Sequence, residues 1–335
     1  NSTTDQFRVR THGGNDTVNV VNSSNLVERR MLEHGGEGDD VLNGSNSTQS
    51  DILNGGAGND TMTGGAGNDS LDGGAGTGTN TLIESSRVTG NFTVTLTNTS
   101  LMGLDTLANL QVANLTGGSG TDSFTVSGWT GMGSLMGGAG TNTIVAIKNV
   151  NFTLSDSGLQ TTDGMNLSLN GFTKATLTGG SLANRFTVGA WTGTGTLSGG
   201  SGTNDFIDRL AVERNANMTL NNASLTSPGF GKLTLQGIEV AQLQGSLNNN
   251  TFTVGGWTGT GALTGGGGTD TVVVSRNALR FVLGDGVLNI DGGPVMTLEA
   301  ITIANLIGGA GNNTFNVGDW TGTGKLTGGG GNGDV

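Results

Sequence analysis

The sequence predicts an all-β fold: an elongated parallel β-solenoid, a β-roll or β-helix, with coils of ~20 residues. Three observations predict it. Glycine supplies 65 of the 335 residues, and apolar residues make up only 33%. The segment Phe124-Thr125-Val126-Ser127-Gly128-Trp129-Thr130-Gly131 returns, with small changes, from Phe186, Phe252 and Phe315. Inside that long unit, glycine pairs recur at a step of 20 residues, as from Gly117-Gly118 to Gly137-Gly138 and from Gly179-Gly180 to Gly199-Gly200.

Each observation constrains the architecture. A low apolar content argues against a thick central core and for a thin one running along a stack of coils. The glycines follow no strict third-residue period, which excludes collagen. The four tryptophans stand 62, 66 and 63 residues apart, and Ala113, Ala175, Ala241 and Ala304 keep the same intervals. A fixed period of that length marks a repeat architecture. Short alternating runs such as Phe152-Thr153-Leu154 and Phe281-Val282-Leu283 lie between the glycine turns. A period of two sends alternate side chains inward and leaves Thr, Ser and Asn outward. So much Gly, Thr and Asn disfavours helix, except over residues 25–34, which read as one or two helical turns at an edge. The expected organisation is a first segment over residues 1–90 and a continuous solenoid over 91–335, built of ~63-residue repeats of three coils each.

Charge and composition narrow the function classes. The net charge is −12 and the isoelectric point near 4.4, a poor surface for nucleic acid and a natural one for divalent cations. Cysteine is absent, so disulfides do not staple the coils. No apolar run approaches transmembrane length, so this segment is not expected to insert in a membrane. The chain opens on Asn1 and stops at Val335 inside a repeat, and it reads as a window of a longer polypeptide.

The first quarter uses a different dialect. Gly55-Gly56-Ala57-Gly58-Asn59-Asp60-Thr61-Met62-Thr63 runs directly into Gly64-Gly65-Ala66-Gly67-Asn68-Asp69-Ser70-Leu71-Asp72, and Gly35-Gly36-Glu37-Gly38-Asp39-Asp40-Val41-Leu42 stands upstream. Glycine permits the tight turn, the sixth position supplies a carboxylate, and the eighth, Met62 or Leu71, faces the core. Between Arg30 and Arg87 there are nine acidic residues and no Lys or Arg. Stacking such coils without cations brings like charges together.

These residues match the G-G-x-G-x-D-x-U-x nonapeptide, and residues 11–82 resemble the calcium-binding β-roll of the repeats-in-toxin (RTX) family. The resemblance implies calcium as the cofactor. Calcium takes six or more oxygens, more than one turn offers, so stacked turns must share each ion. Asp40 and Asp60 are expected to line one side, with Asp16 and Asn80 extending their row. Asp69 is expected on the other, with Asp51 as its partner. Gly36, Gly38, Gly56, Gly58, Gly65 and Gly67 are expected to contribute backbone carbonyls, and Asp122 is an intact sixth-position residue further on. Later equivalents read Asn184, Asn250 and Asn313, and the second turn of each unit reads Asn142, Asn204, Asp270 and Gly333. Those coils are expected to be mostly metal-free. The long unit is similar to repeats of giant secreted bacterial solenoid and adhesin proteins, a motif that carries no activity of its own.

The function expected is that of a non-enzymatic, extracellular or cell-surface structural segment: an adhesin stalk, biofilm matrix, surface-layer or filament component. Its expected partners are calcium, other copies of itself in filaments, and surface or matrix polysaccharide. Two other readings stand beside it. A glycan- or ice-binding module would use Trp129, Trp191, Trp257 and Trp320 or the threonine runs. A polysaccharide-active β-helix enzyme would need clustered carboxylates, for which Asp205 and Asp208 are the nearest candidates. Tryptophan beside glycine in a thin core more often fills a corner, and Asp205 and Asp208 read more simply as solvated.

Overall fold

The computed structural model describes residues 6–20, 29–85, 91–200 and 207–335. Among them are 35 strands and no helix, and most pairings are parallel, as a β-solenoid requires. The chain divides into two compact units: Asn1–Ala146 with Ser157–Lys174, and Ile147–Asp156 with Ala175–Val335.

Unit 1 is a two-sided stack. Its first sheet runs in parallel through Gln6–Gly13, Arg30–Glu37, Ile52–Ala57, Ser70–Asp72 and Asp105–Ala108. The second runs through Thr17–Asn19, Val41–Asn43, Thr61–Thr63, Thr81–Glu84, Val112–Thr116, Met132–Met136 and Asn166–Asn170. Each coil contributes one strand to each sheet, and registered side chains form inward columns. Leu42, Met62 and Leu82 stack in one column and Leu53, Leu71 and Leu107 in the other, all buried. Alternation thus builds the thin core that the composition implied.

The helical turns expected over residues 25–34 are not found. Arg30–Glu37 is a strand, in register with Gln6–Gly13 on one side and Ile52–Ala57 on the other. Pairing on both edges outweighs the local helix propensity of this stretch. Residues 25–28 lie outside the described residues.

The sequence did not announce the antiparallel strands. In unit 1, Ser100–Leu101 pairs antiparallel with both Thr93–Thr97 and Asp105–Ala108. Thr93–Thr97 then pairs in parallel with Ser123–Gly128. The chain therefore steps forward along the sheet, folds back through a three-stranded meander, and resumes.

Unit 2 repeats the device. One sheet holds Arg185–Val188, Arg209–Glu213, Val240–Gln244, Thr260–Thr264 and Val295–Glu299, then the meander partners Val287–Ile290 and Arg280–Gly284, then Thr314–Asp319. The other holds Thr194–Ser198, the meander Phe230–Gln236, Ser224–Ser227 and Met218–Asn221, then Thr251–Gly256, Thr271–Ser275, Ile303–Ile307 and Thr323–Thr327. The Phe-Thr-Val strands that look alike in sequence alternate between sheets. Those of Phe186 and Phe315 share one, and that of Phe252 lies on the other.

Three of the four tryptophans belong to the core, and Trp320 is half-buried. Trp129, Trp191 and Trp257 are at most 1% exposed, which removes them from any sugar-stacking surface. The Thr after each indole is clamped by a residue of a meander: Thr192 N–H donates to Asp156 Oδ1 at 2.7 Å, and Thr258 N–H to Asn222 Oδ1 at 2.9 Å. Outward columns of unit 2 are mixed. One reads Thr187, Ala211, Gln242, Ala262 and Thr297 in register, not a regular threonine array.

Candidate metal centre

The first four strands of the second sheet of unit 1 are each entered from a tight turn that ends on a polar residue. That residue's N–H is bonded to the side chain of its equivalent in the next coil. Asp16 N–H donates to Asp40 Oδ1 at 2.8 Å, Asp40 N–H to Asp60 Oδ1 at 2.9 Å, and Asp60 N–H to Asn80 Oδ1 at 2.8 Å. Asn80 N–H donates to Gln111 Oε1 at 2.8 Å. A second row enters the first sheet. Met31 N–H donates to Asp51 Oδ1 at 2.7 Å, Asp51 N–H to Asp69 Oδ1 at 2.9 Å, and Asp69 N–H to Asp105 Oδ1 at 2.9 Å.

Of the residues singled out in the sequence, Asp16, Asp40, Asp60 and Asn80 thus lie in one row, and Asp51 and Asp69 in the other. Asp122 lies past the meander, where its Oδ1 accepts from Phe92 N–H at 2.8 Å. Asp105 and Gln111 are members that sequence reasoning missed. The meander places Asp105 36 residues after Asp69, so no short spacing signals it. In unit 2 the position read as Asn204 is taken by Asp208, whose Oδ1 accepts from Asn184 N–H at 2.6 Å. Asn204 and Asp205 lie outside the described residues. Asp334, not Gly333, accepts from Asn313 N–H at 2.8 Å.

The second carboxylate oxygen sorts these residues. Oδ2 of Asp40 and Oδ2 of Asp60 are buried and meet no hydrogen-bond donor. Asp51 differs, because its Oδ2 accepts from Ser45 N–H at 2.6 Å and from Ser45 Oγ at 2.8 Å. Asp122 differs too, since its Oδ2 accepts from Gly118 N–H at 2.7 Å. Asn80 carries an amide at this place, and its Nδ2 donates to Gly73 O and Asn109 O, both at 3.0 Å. Only a donor or a cation satisfies such an oxygen in a buried turn. Asp51, Asp122 and Asn80 have protein partners there, and Asp40 and Asp60 have none.

Glycine brings the backbone close enough to share it. Gly56 and Gly58 have φ of 109° and 131°. A Cβ on Gly56 would strike the Gly36 carbonyl, and one on Gly58 the Gly38 carbonyl. The remaining named glycines, Gly65 and Gly67, stack in the same manner on the Ser45 and Gln49 carbonyls. Gly55 O and Asp40 Oδ2 flank one point, the place that a Cβ on Gly35 would fill. Among the described residues no three His, Cys, Asp or Glu side chains gather into a cluster. An ion in these turns must therefore draw on backbone carbonyls beside the carboxylates, the hard-oxygen set that calcium takes.

Electrostatics point the same way. Asp40, Asp51, Asp60 and Asp69 are all 0–1% exposed. Burial pushes the Asp60 carboxyl above its ordinary range, the Asp40 and Asp39 carboxylates push it further, and the N–H of Asp40 partly opposes them. Glu33 is a second buried acid. It stands in the core column in register with Leu53, and neither of its oxygens has a hydrogen-bond partner. Burial, then the charge of Asp51, raises it to about 8. A cation held beside Asp40 and Asp60 would offset the repulsion that these positions otherwise concentrate.

Comparison with known proteins agrees with this geometry. A search of curated proteins finds none that matches the chain. The family model of the RTX calcium-binding nonapeptide repeat, in four copies, matches residues 34–48 and 45–79. Those residues contain Asp40, Asp51, Asp60 and Asp69 and the glycine turns between them, and they are RTX calcium-binding nonapeptide repeats with calcium as their cofactor.

Proposed function

We propose that this chain is a non-enzymatic, extracellular structural segment whose first coils are rigidified by calcium, serving as a stalk, matrix, surface-layer or filament component. The observation that carries the reading is the row from Asp16 to Asn80. Asp40 and Asp60 there each spend Oδ1 on the backbone of the preceding coil and keep a buried Oδ2 for an ion. Such a segment gains order when calcium binds its folded form.

The competing readings draw less support. Asp208, the described member of the candidate catalytic pair, is a buried turn residue bonded to Asn184. The indoles of Trp129, Trp191 and Trp257 are in the core. Limited proteolysis with calcium and with a chelator tests the proposal. Cleavage within residues 34–79 should accelerate when calcium is removed, and cleavage indifferent to calcium would overturn it. Electron microscopy of the calcium-loaded protein, with and without added matrix polysaccharide, tests self-assembly and polysaccharide binding separately.

A further inference from the structure

We propose that Asp270, outside the matched residues, forms a calcium site in unit 2 together with the carbonyl oxygen of Ala300. Four residues carry the argument: Asn109, Gly171, Gly237 and Ala300. Each directly follows a returning strand, namely Asp105–Ala108, Asn166–Asn170, Phe230–Gln236 and Val295–Glu299. Each is left-handed, with φ of 53°, 77°, 56° and 52°. They stand 62, 66 and 63 residues apart, the intervals of the tryptophans. Alanine is uncommon in this conformation, so its carbonyl is aimed at some expense.

In unit 1 that carbonyl meets an amide. Asn80 Nδ2 donates to Asn109 O at 3.0 Å, and Asn142 Nδ2 donates to Gly171 O at 2.9 Å. Asn142 Nδ2 also lies 3.3 Å from both Gly138 O and Ala139 O of its own turn. The electropositive NH2 group therefore sits among three carbonyl oxygens.

At Asp270 the same place holds an acceptor. Asp270 is 0% exposed, and its Oδ1 accepts from Asn250 N–H at 2.7 Å. Its Oδ2 is buried and meets no hydrogen-bond donor. Oδ2 and Ala300 O close on one point, the place of a Cβ on Gly265. The surrounding turn matches that of Asn142: φ is 92° at Gly266 and 91° at Gly268, against 76° at Gly138 and 90° at Gly140. The carbonyls equivalent to Gly138 and Ala139 are thus those of Gly266 and Gly267. Two acceptors face each other where the asparagine turns pair a donor with an acceptor. A hard cation restores the missing positive charge and meets one carboxylate and several carbonyl oxygens. Asparagine at this position is the built-in substitute for the ion, which explains why the residue alternates between Asn and Asp without disturbing the coil.

This site does not depend on the N-terminal coils. The test is a calcium count by native mass spectrometry on the full chain, with hydrogen–deuterium exchange over residues 245–275. Asp270→Asn should bind one calcium fewer than the unaltered chain. Exchange over residues 245–275 should be slowed by calcium in the unaltered chain, and slow with or without calcium in Asp270→Asn. Asp60→Asn should leave that region unchanged, so failure of the N-terminal sites shows only within residues 34–79. An unaltered calcium count in Asp270→Asn overturns the proposal. So does exchange over 245–275 that ignores a chelator in the unaltered chain, a readout that stands even if the variant fails to fold.

Discussion

The backbone N–H of Asp40 donates to Oδ1 of Asp60 at 2.9 Å, across 20 residues of sequence. The carboxylate of Asp60 therefore has two duties on two oxygens. Oδ1 fixes the coil before it, and Oδ2, buried without a donor, is the oxygen proposed for calcium. The duties separate by substitution. Asp60→Asn keeps the acceptor and should make its coil indifferent to a chelator. Asp60→Ala strands a buried N–H and should destabilise the calcium-loaded protein by about 1–3 kcal/mol. Thermal denaturation of both variants, with calcium and with chelator, checks this.

Gly56→Ala should abolish calcium-induced order in residues 34–79. Its φ is 109°, and the added Cβ would strike the Gly36 carbonyl. The left-handed backbone alone costs a non-glycine residue about 1–2 kcal/mol, and the collision adds to it. Gly76→Ala is the control, because its Cβ would find Ala57 Cα at 3.9 Å and Gly78 N at 4.0 Å. It should leave the calcium response intact, read by circular dichroism during titration.

Acid should partly replace calcium. Glu33 is raised to about 8, and Asp60 is raised as well. For an acid whose folded pKa lies above its unfolded value, the unfolded chain releases its proton first as pH rises. The folded form therefore loses stability from near the ordinary glutamate range up to about 8, and regains it as pH falls through that window. For Glu33 the full loss amounts to at most about 5 kcal/mol. Chelated protein should be more ordered at pH 5 than at pH 8. Glu33→Leu, which restores the core column, should flatten most of that dependence in a proteolysis series across pH.

Trp257→Ala should lower the melting temperature of unit 2. The indole is 1% exposed, and its Nε1 donates to Thr260 O at 3.3 Å. Truncating a buried tryptophan costs about 3–5 kcal/mol. Polysaccharide pull-down by the folded variant should match that of the unaltered chain.

The fold class and the calcium motif were legible because both are written in short periods. Alternation puts Leu53, Met62 and Leu71 inward, and the nine-residue spacing puts Asp60 and Asp69 at successive turns. The meanders were not legible, because Ser100–Leu101 looks like any other outward polar, inward apolar pair. Strand direction depends on partners far along the chain. Asp105 was missed and Asp208 misread for the same reason, since an inserted meander or a 24-residue step hides them from a fixed count. The difference between Asp40 and Asp51 was also hidden. It rests on whether a serine supplies a donor to Oδ2, a matter of turn geometry. Glu33 shows the opposite failure. An acid two positions after Met31 looked like a helix surface and instead fills a core column.

In unit 2, six strands lie between each Phe-Thr-Val strand and its next copy, and the chain changes sheet five times over that interval because the three meander strands share a side. An odd count in a two-sided stack gives the repeat a parity. Duplicating one copy by recombination would turn every later surface to the opposite side, whereas duplicating two would restore it. Length in such a protein is thus adjustable in pairs without changing what it presents. A single gain or loss acts as an inversion of display, with no change in any residue.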